Sequence, residues 1–221
     1  MKVVEIFKSV EGEGLRAGLC CTFIRLFGCN LACSFCDTVY GWQKEYEKDT
    51  TEMSIEEITT AVDEFGIKAV TITGGEPLIH KELPFLLKAL VDMGCEVNVE
   101  TNGSIIPPFN HVNVFYTMDF KTNASGMSAK MNKNAFLRLS GRDVIKFVVG
   151  SLADCNQAKE FLLDYWKEHV GEHPQVFFSP VFGCIEAKEI VAFLLQNPEL
   201  YNCKAQLQLH KYIWDKNQRG V

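Results

Sequence analysis

Residues 28–38, GCNLACSFCDT, set Cys29, Cys33 and Cys36 in a C-x3-C-x2-C spacing and supply no fourth thiol nearby. Thiolate sulfur suits two kinds of site, tetrahedral zinc and an iron–sulfur cluster. Structural zinc closes its shell with a fourth Cys or His, usually from a second C-x2-C or H-x3-5-H pair. No such pair occurs here, because the remaining cysteines (20, 21, 95, 155, 184, 203) and the histidines are scattered. Cys20 and Cys21 alternate across an extended run, so at most one of them can face the site. Three buried structural thiols are the blander reading, and a polar loop after a strand suits them poorly. The set favours a 4Fe–4S cluster on three cysteines. Its fourth iron is then open to chelate the amino and carboxylate groups of a bound cofactor, into which a reduced cluster can pass one electron.

Such a loop needs a frame. Short runs rich in Val, Ile and Phe predict strands at 21–27, 68–73, 95–100, 113–119, 143–149, 174–179 and 205–209. Helical patterns lie between several of them, at 54–66, 81–94, 152–169 and 185–197. The first opens with Ser54 and Glu57 at capping-box spacing and closes at Gly66. Alternating strand and helix predicts a parallel sheet, and about six strands with helices on one side curl into an open barrel. The connection at 101–112 is too short for a full helix. GGEP (74–77), TNG (101–103), FK (120–121) and PVFG (180–183) then fall at four strand ends, on the rim where parallel α/β folds bind ligands.

Composition bounds the rest. The 221 residues are 47% hydrophobic and 23% charged, which fits one domain spanning 1–221 with a sizeable core. A net charge of −6 provides no general basic footprint, so neither nucleic acid nor an anionic membrane is an expected partner. Lys2, Glu5 and Lys8 interrupt the first residues, and no run reaches membrane-spanning length, so neither an export signal nor a membrane anchor is expected. Nine cysteines in such a chain read as reduced thiols or metal ligands, and the expected compartment is the cytoplasm.

The cysteine spacing, Phe35 just before the last cysteine, and GGEP after a strand together resemble the radical S-adenosylmethionine superfamily. EIFKSVEGEG (5–14), FIRLFGCN (23–30), CDT (36–38), TGGEP (73–77), VETNG (99–103) and LQLHKYIW (207–214) narrow the resemblance to the 7-carboxy-7-deazaguanine synthase family, over almost the whole chain. The resemblance implies an open, incomplete parallel (β/α) barrel. It implies ring contraction of 6-carboxy-5,6,7,8-tetrahydropterin to 7-carboxy-7-deazaguanine with loss of ammonia, a carbon–nitrogen lyase step of queuosine and deazapurine biosynthesis. It also implies a 4Fe–4S cluster, S-adenosylmethionine, Mg2+, a homodimer, and an electron donor such as flavodoxin or ferredoxin.

Residue by residue, the resemblance assigns the substrate to Val10, Glu11, Gly12, Glu13, Arg25, Thr73 and His210. Chemistry agrees: glycines let backbone approach a flat ring, carboxylates accept from adjacent N–H donors, and a guanidinium fork suits a carboxylate. The family often has glutamine where Glu11 stands. S-adenosylmethionine is assigned to Phe35, Cys36, Asp37, Gly74, Gly75, Glu76, Glu100, Asp119, Phe120, Lys121, Ser179, Pro180, Val181 and Phe182. Thr38 is assigned to Mg2+, which keeps waters and accepts substrate oxygens. A glycyl-radical activase acting on a protein would give no reason for Thr38 or VEGEG. An iron–sulfur electron carrier would leave GGEP, ETNG and the open fourth ligand unexplained, and an iron and sulfide assay separates a zinc-stabilised binding module.

Overall fold

Strands buried on both faces still need two chemically different faces if one is to carry a site. The computed structural model, which describes residues 1–215 and 218–221, shows that division. Nine strands form one sheet: β1 (Lys2–Val10), β2 (Cys20–Leu26), β3 (Thr51–Glu52), β4 (Ala69–Gly74), β5 (Glu96–Thr101), β6 (Val114–Asp119), β7 (Val144–Val149), β8 (Gln175–Pro180) and β9 (Lys204–Ala205). Their order is β3-β1-β2-β4-β5-β6-β7-β8-β9. β1 pairs antiparallel with β2 and β3, and every pairing from β2 to β9 is parallel. The sheet ends in two-residue strands that do not meet, so the barrel is open and incomplete.

Period-two alternation sorts the faces. Val70, Ile72, Val97, Val99, Ile145, Phe147 and Phe178 join the hydrophobic core. That core also holds Ile58 and Val62 of α1 (Ile55–Phe65), Leu86 and Leu90 of α2 (Leu83–Asp92), Ala135 and Phe136 of the short α3 (Lys133–Phe136), Leu162 and Tyr165 of α4 (Leu152–Glu168), and Ile190 of α5 (Ala187–Gln196). The opposite parity of the same strands carries Thr71, Thr73, Asn98, Glu100, Thr117, Asp119 and Lys146. One face is oily and backed by helices; the other is polar.

Local chemistry sets the helix ends. Ser54 accepts from the Glu57 amide while Glu57 Oε2 accepts from the Ser54 amide, closing the expected capping box of α1. Gly66 ends that helix in the left-handed region at φ 69°. The expected helices all form within a few residues of their anticipated limits. The connection between β5 and β6 carries none.

Two expectations fail. β1 is absent from the sequence-derived strands because Lys2, Glu5 and Lys8 break its apolar pattern. As a half-buried strand beside the two-residue β3, it tolerates them. The strand expected at 205–209 shrinks to Lys204–Ala205. The Gln206 amide still donates to Phe178 O at 2.9 Å while its side-chain Oε1 accepts from the Gly14 amide at 2.7 Å, and the chain then turns into α6 (His210–Ile213).

Phe147 lies at the centre of an aromatic cluster, with ring centroids 5.5 Å from Phe120, 6.1 Å from Phe161 and 5.0 Å from Phe178. Phe147→Ala should lower unfolding free energy by about 3–5 kcal/mol in urea titration. Phe85→Ala, at a side chain 67% exposed, should stay within about 0.5 kcal/mol.

Candidate active site

The site begins with backbone. Gly74 has φ 133°, and a Cβ there would lie 2.0 Å from the Leu26 carbonyl oxygen. A Cβ on Gly75 would lie 2.0 Å from the Gly28 carbonyl oxygen. With no side chains in the way, the Gly75 amide donates to Leu26 O at 3.1 Å and the Glu76 amide to Gly28 O at 2.8 Å. This clasp joins the end of β4 to the root of the cysteine loop. Glu76 is completely buried, and its carboxylate accepts from the Leu78 amide, Thr101 Oγ1 and the Asn102 amide. Asn102 Nδ2 then donates to Asn30 Oδ1 at 2.9 Å and approaches Cys29 Sγ at 3.7 Å.

All three cysteines line a cavity of about 830 Å³ above the polar face of the sheet. The Leu31 amide donates to Cys29 Sγ, and Trp42 Nε1 to Cys36 Sγ, each at 3.4 Å. Such N–H donors stabilise metal-bound thiolates. Burial pushes the Cys29 and Cys33 thiols up, with Lys121 opposing it at Cys33, so ligation has to release their protons. Among the described residues no three His, Cys, Asp or Glu side chains converge to hold a single metal ion.

All but one of the substrate-assigned residues border this cavity. Glu11, Gly12, Glu13, Arg25, Thr73 and His210 all line the cavity. Glu5, Arg25 and Thr73 are lateral neighbours on β1, β2 and β4, and Arg25 Nε donates to Glu5 Oε1 at 2.7 Å. Arg25 is therefore both an ion-pair partner and a cavity residue. Thr73 Oγ1 donates to Glu100 Oε2 at 2.6 Å. His210 Nδ1 would lie only 2.5 Å from a Cβ on Gly12, which explains the glycine, and burial lowers the His210 pKa.

Phe35, Asp37, Thr38, Gly74, Gly75, Glu100, Asp119, Lys121, Val181 and Phe182 line the same cavity. Thr38 Oγ1 donates to Asp37 Oδ1 at 2.9 Å, and Lys211 pairs with the same carboxylate. Lys121 Nζ donates to Asp119 Oδ2 at 2.8 Å. Asp119 Oδ1 is buried without a hydrogen-bond partner among the described residues, as fits a wall built to receive a polar ligand.

Five assigned residues do not line this cavity. Phe120 packs into the aromatic core, because the strand alternation turns it to the helix side. Glu76 spends its carboxylate on the neighbouring loops, as described. Val10 ends β1 beside Cys20, Ser179 is fully buried, and Pro180 borders a separate groove with Tyr212.

Sequence reasoning missed Lys146, Gln208 and Arg219, all of which border the cavity, as does Asn102 of the TNG segment expected on the rim. Lys146 had a visible signal, a lysine in mid-strand within VIKFVV. Arg219 stacks over Tyr40 with 4.1 Å to the ring centroid, a contact no local pattern announces.

The fold and the three-thiol cavity define a class, and comparison with known proteins gives the same one. Residues 23–111 match the Radical SAM superfamily. The chain is 42% identical to a 7-carboxy-7-deazaguanine synthase of Clostridium acetobutylicum, covering 100% of this chain and 99% of that one. It is 35% identical to the synthase of Chlorobaculum tepidum, covering 100% and 97%. The crystal structure of QueE from Escherichia coli superposes with a TM-score of 0.74 at 26% identity, covering 95% and 94%. The chain belongs to the 7-carboxy-7-deazaguanine synthase family.

Glu11 is 2% exposed, and Thr71 Oγ1 donates to its Oε2 at 2.5 Å. Burial and the Glu100 carboxylate raise its pKa to about 7, against the Thr71 hydrogen bond and Arg16, whose Nη2 lies 3.7 Å away. Between the unfolded value near 4.5 and 7, the folded chain binds more protons than the unfolded one, so this group's contribution to stability falls as pH rises. Glu11→Gln should remove that fall. The difference in unfolding free energy, mutant minus wild type, should grow by on the order of 1–3 kcal/mol between pH 5 and pH 8.

Proposed function

We propose that this chain contracts the ring of 6-carboxy-5,6,7,8-tetrahydropterin to 7-carboxy-7-deazaguanine with release of ammonia, as a carbon–nitrogen lyase of queuosine and deazapurine biosynthesis. The observation that carries this reading is that the three thiols and Glu11, Glu13, Arg25 and His210 line one cavity of about 830 Å³. A cluster, an S-adenosylmethionine and a bicyclic acid need a common space of that kind. The thiols with their N–H donors fit a 4Fe–4S cluster, and the partnerless Asp119 oxygen fits the polar end of the cofactor. When bound, the reduced cluster and S-adenosylmethionine supply the radical chemistry that removes one hydrogen atom from the substrate.

The chain's own residues have the remaining work. Glu13 offers carboxylate lone pairs to the N–H donors of the aminopyrimidinone edge. Arg25, braced by Glu5 and stacked near Tyr40, has guanidinium N–H groups left for the substrate carboxylate. His210, its pKa lowered by burial, presents a neutral imidazole against Gly12. Lys121 and Asp119 form a paired wall on the cofactor side. Thr38 would give Mg2+ one oxygen, the others coming from water and the substrate, so that the acid is held rigidly while its ring rearranges.

We include with this reading a single domain over 1–221, a homodimer, reduction by a flavodoxin or ferredoxin, and a cytoplasmic setting. Sequence resemblance supports the dimer and the electron donor, and composition and cysteine usage support the single domain and the compartment; among the described residues no helix is long and apolar enough to cross a membrane.

The test is product analysis after anaerobic reconstitution with iron, sulfide, S-adenosylmethionine and the carboxytetrahydropterin. Deazaguanine acid should form, and its formation should depend on Mg2+. Thr38→Ala should keep the iron content and cofactor binding but slow turnover by about 10-fold or more, as expected for lost orientation. Turnover indifferent to Mg2+, with the alanine variant as fast as wild type, would reduce Thr38 to a turn residue.

A further inference from the structure

Lys146 sits in the middle of β7, buried on the polar face of the sheet, and it lies between Glu13 of the VEGEG segment and Asp119 of β6 at the cavity's edge. Its Nζ donates to Glu13 Oε2 at 2.9 Å and lies 3.8 Å from Asp119 Oδ2, the oxygen that also accepts from Lys121. Asp119 is its lateral neighbour on β6. The row Glu13, Lys146, Asp119, Lys121 therefore alternates in charge from the VEGEG segment to the neighbourhood of Cys33. Burial alone would push the ammonium of Lys146 down. Glu13, Asp119 and Glu100 outweigh it, so the pKa is raised and the lysine stays charged.

The consequence falls on Glu13. Its other oxygen, Oε1, accepts from Gln208 Nε2 at 3.1 Å. A carboxylate has about four lone-pair positions, so the protein uses two and leaves about two for a ligand. The titratable groups it interacts with are Glu11 on its own segment, Lys146 on β7 and His210 on α6, with Glu100 on β5 and Asp119 on β6 reached through these shared partners. Among the described residues, Lys146 is the cation within ion-pair distance of Glu13. Without it, a buried carboxylate would face other carboxylates, with one oxygen released and its direction unset.

We propose that Lys146 is a positioning residue for substrate selection. By clamping Glu13 from the strand side, it directs the free lone pairs at two adjacent N–H donors, and so sets a preference for a 2-amino-4-oxo pyrimidine edge over one lacking the amino group. This rests on the reading that Glu13 faces the substrate.

The test is anaerobic isothermal titration of the reconstituted protein with two stable probes, 6-carboxypterin and 6-carboxylumazine, which carries an oxo group in place of the 2-amino group. Wild type should prefer the pterin. Lys146→Met should weaken pterin binding about 30-fold, as for truncating one partner of a buried charge pair, and lumazine binding by no more than about threefold. The ratio between the probes should collapse while the iron content stays unchanged. If the Met variant does not melt cooperatively, Lys146→Gln, which keeps a donor but no charge, is read by the same ratio. Equal weakening of both probes, or an unchanged ratio, would assign Lys146 to structure alone and overturn the inference. A wild type that binds neither probe would overturn the substrate reading itself.

Discussion

The cysteine loop has its position because two backbones touch. Leu26–Gly28 and Gly74–Glu76 approach so closely that a Cβ on either glycine would meet a carbonyl oxygen at 2.0 Å, and two amide hydrogen bonds use that proximity. From this contact the rest of the rim is built outward. Glu76 carries the connection to Thr101 and Asn102, and Asn102 returns it to Asn30 and Cys29. Three strand ends are thereby locked to one another before any cofactor arrives. Glu76 is thus a joint rather than a wall of the cavity.

The second dependence is on the sidedness of the sheet. Burying apolar side chains against α1, α2, α4 and α5 supplies the stability, and the same alternation obliges the opposite positions to face inward. Filling that face with Thr71, Glu100, Asp119 and Lys146 sacrifices hydrophobic burial and would be costly if the charges stood alone. They do not: Glu13, Lys146, Asp119 and Lys121 neutralise one another in a row, and Arg16 donates to Val70 O and Thr71 Oγ1 beside Glu11. A polar interior of this kind favours binding over maximal stability.

The legible parts of this structure were those written in short-range patterns. The parallel strands from β4 to β8, the four longer helices and the Ser54 cap follow periodicity and capping chemistry, which act within a few residues. The cysteine spacing and GGEP could be read because their chemistry is also local. β1 was hidden because only the two-residue β3 covers its outer side, so Lys2 and Glu5 stay half-buried and Lys8 exposed, blurring the pattern. β9 was overestimated because the chain turns away after Gln206, whose amide still donates to Phe178 O while its side chain holds Gly14, and α6 follows at His210. Phe120 was assigned to the cofactor by resemblance of its strand-end segment, and side-chain parity turns its ring into the core. Gln208 and Arg219 reach the cavity from the far end of the chain, and only tertiary structure brings them there.

The account turns on the glycine clasp holding the cysteines in ligating geometry, and Gly75→Ala adds the smallest group that would break it. The direct measurement is the electron paramagnetic resonance spectrum of the anaerobically reconstituted, reduced protein, with and without S-adenosylmethionine. Circular dichroism serves as the control for fold. The account predicts a native helical spectrum together with loss of the 4Fe–4S signal and of its response to S-adenosylmethionine. A Gly75→Ala protein that assembles the same cluster, with the same response as wild type, would contradict it.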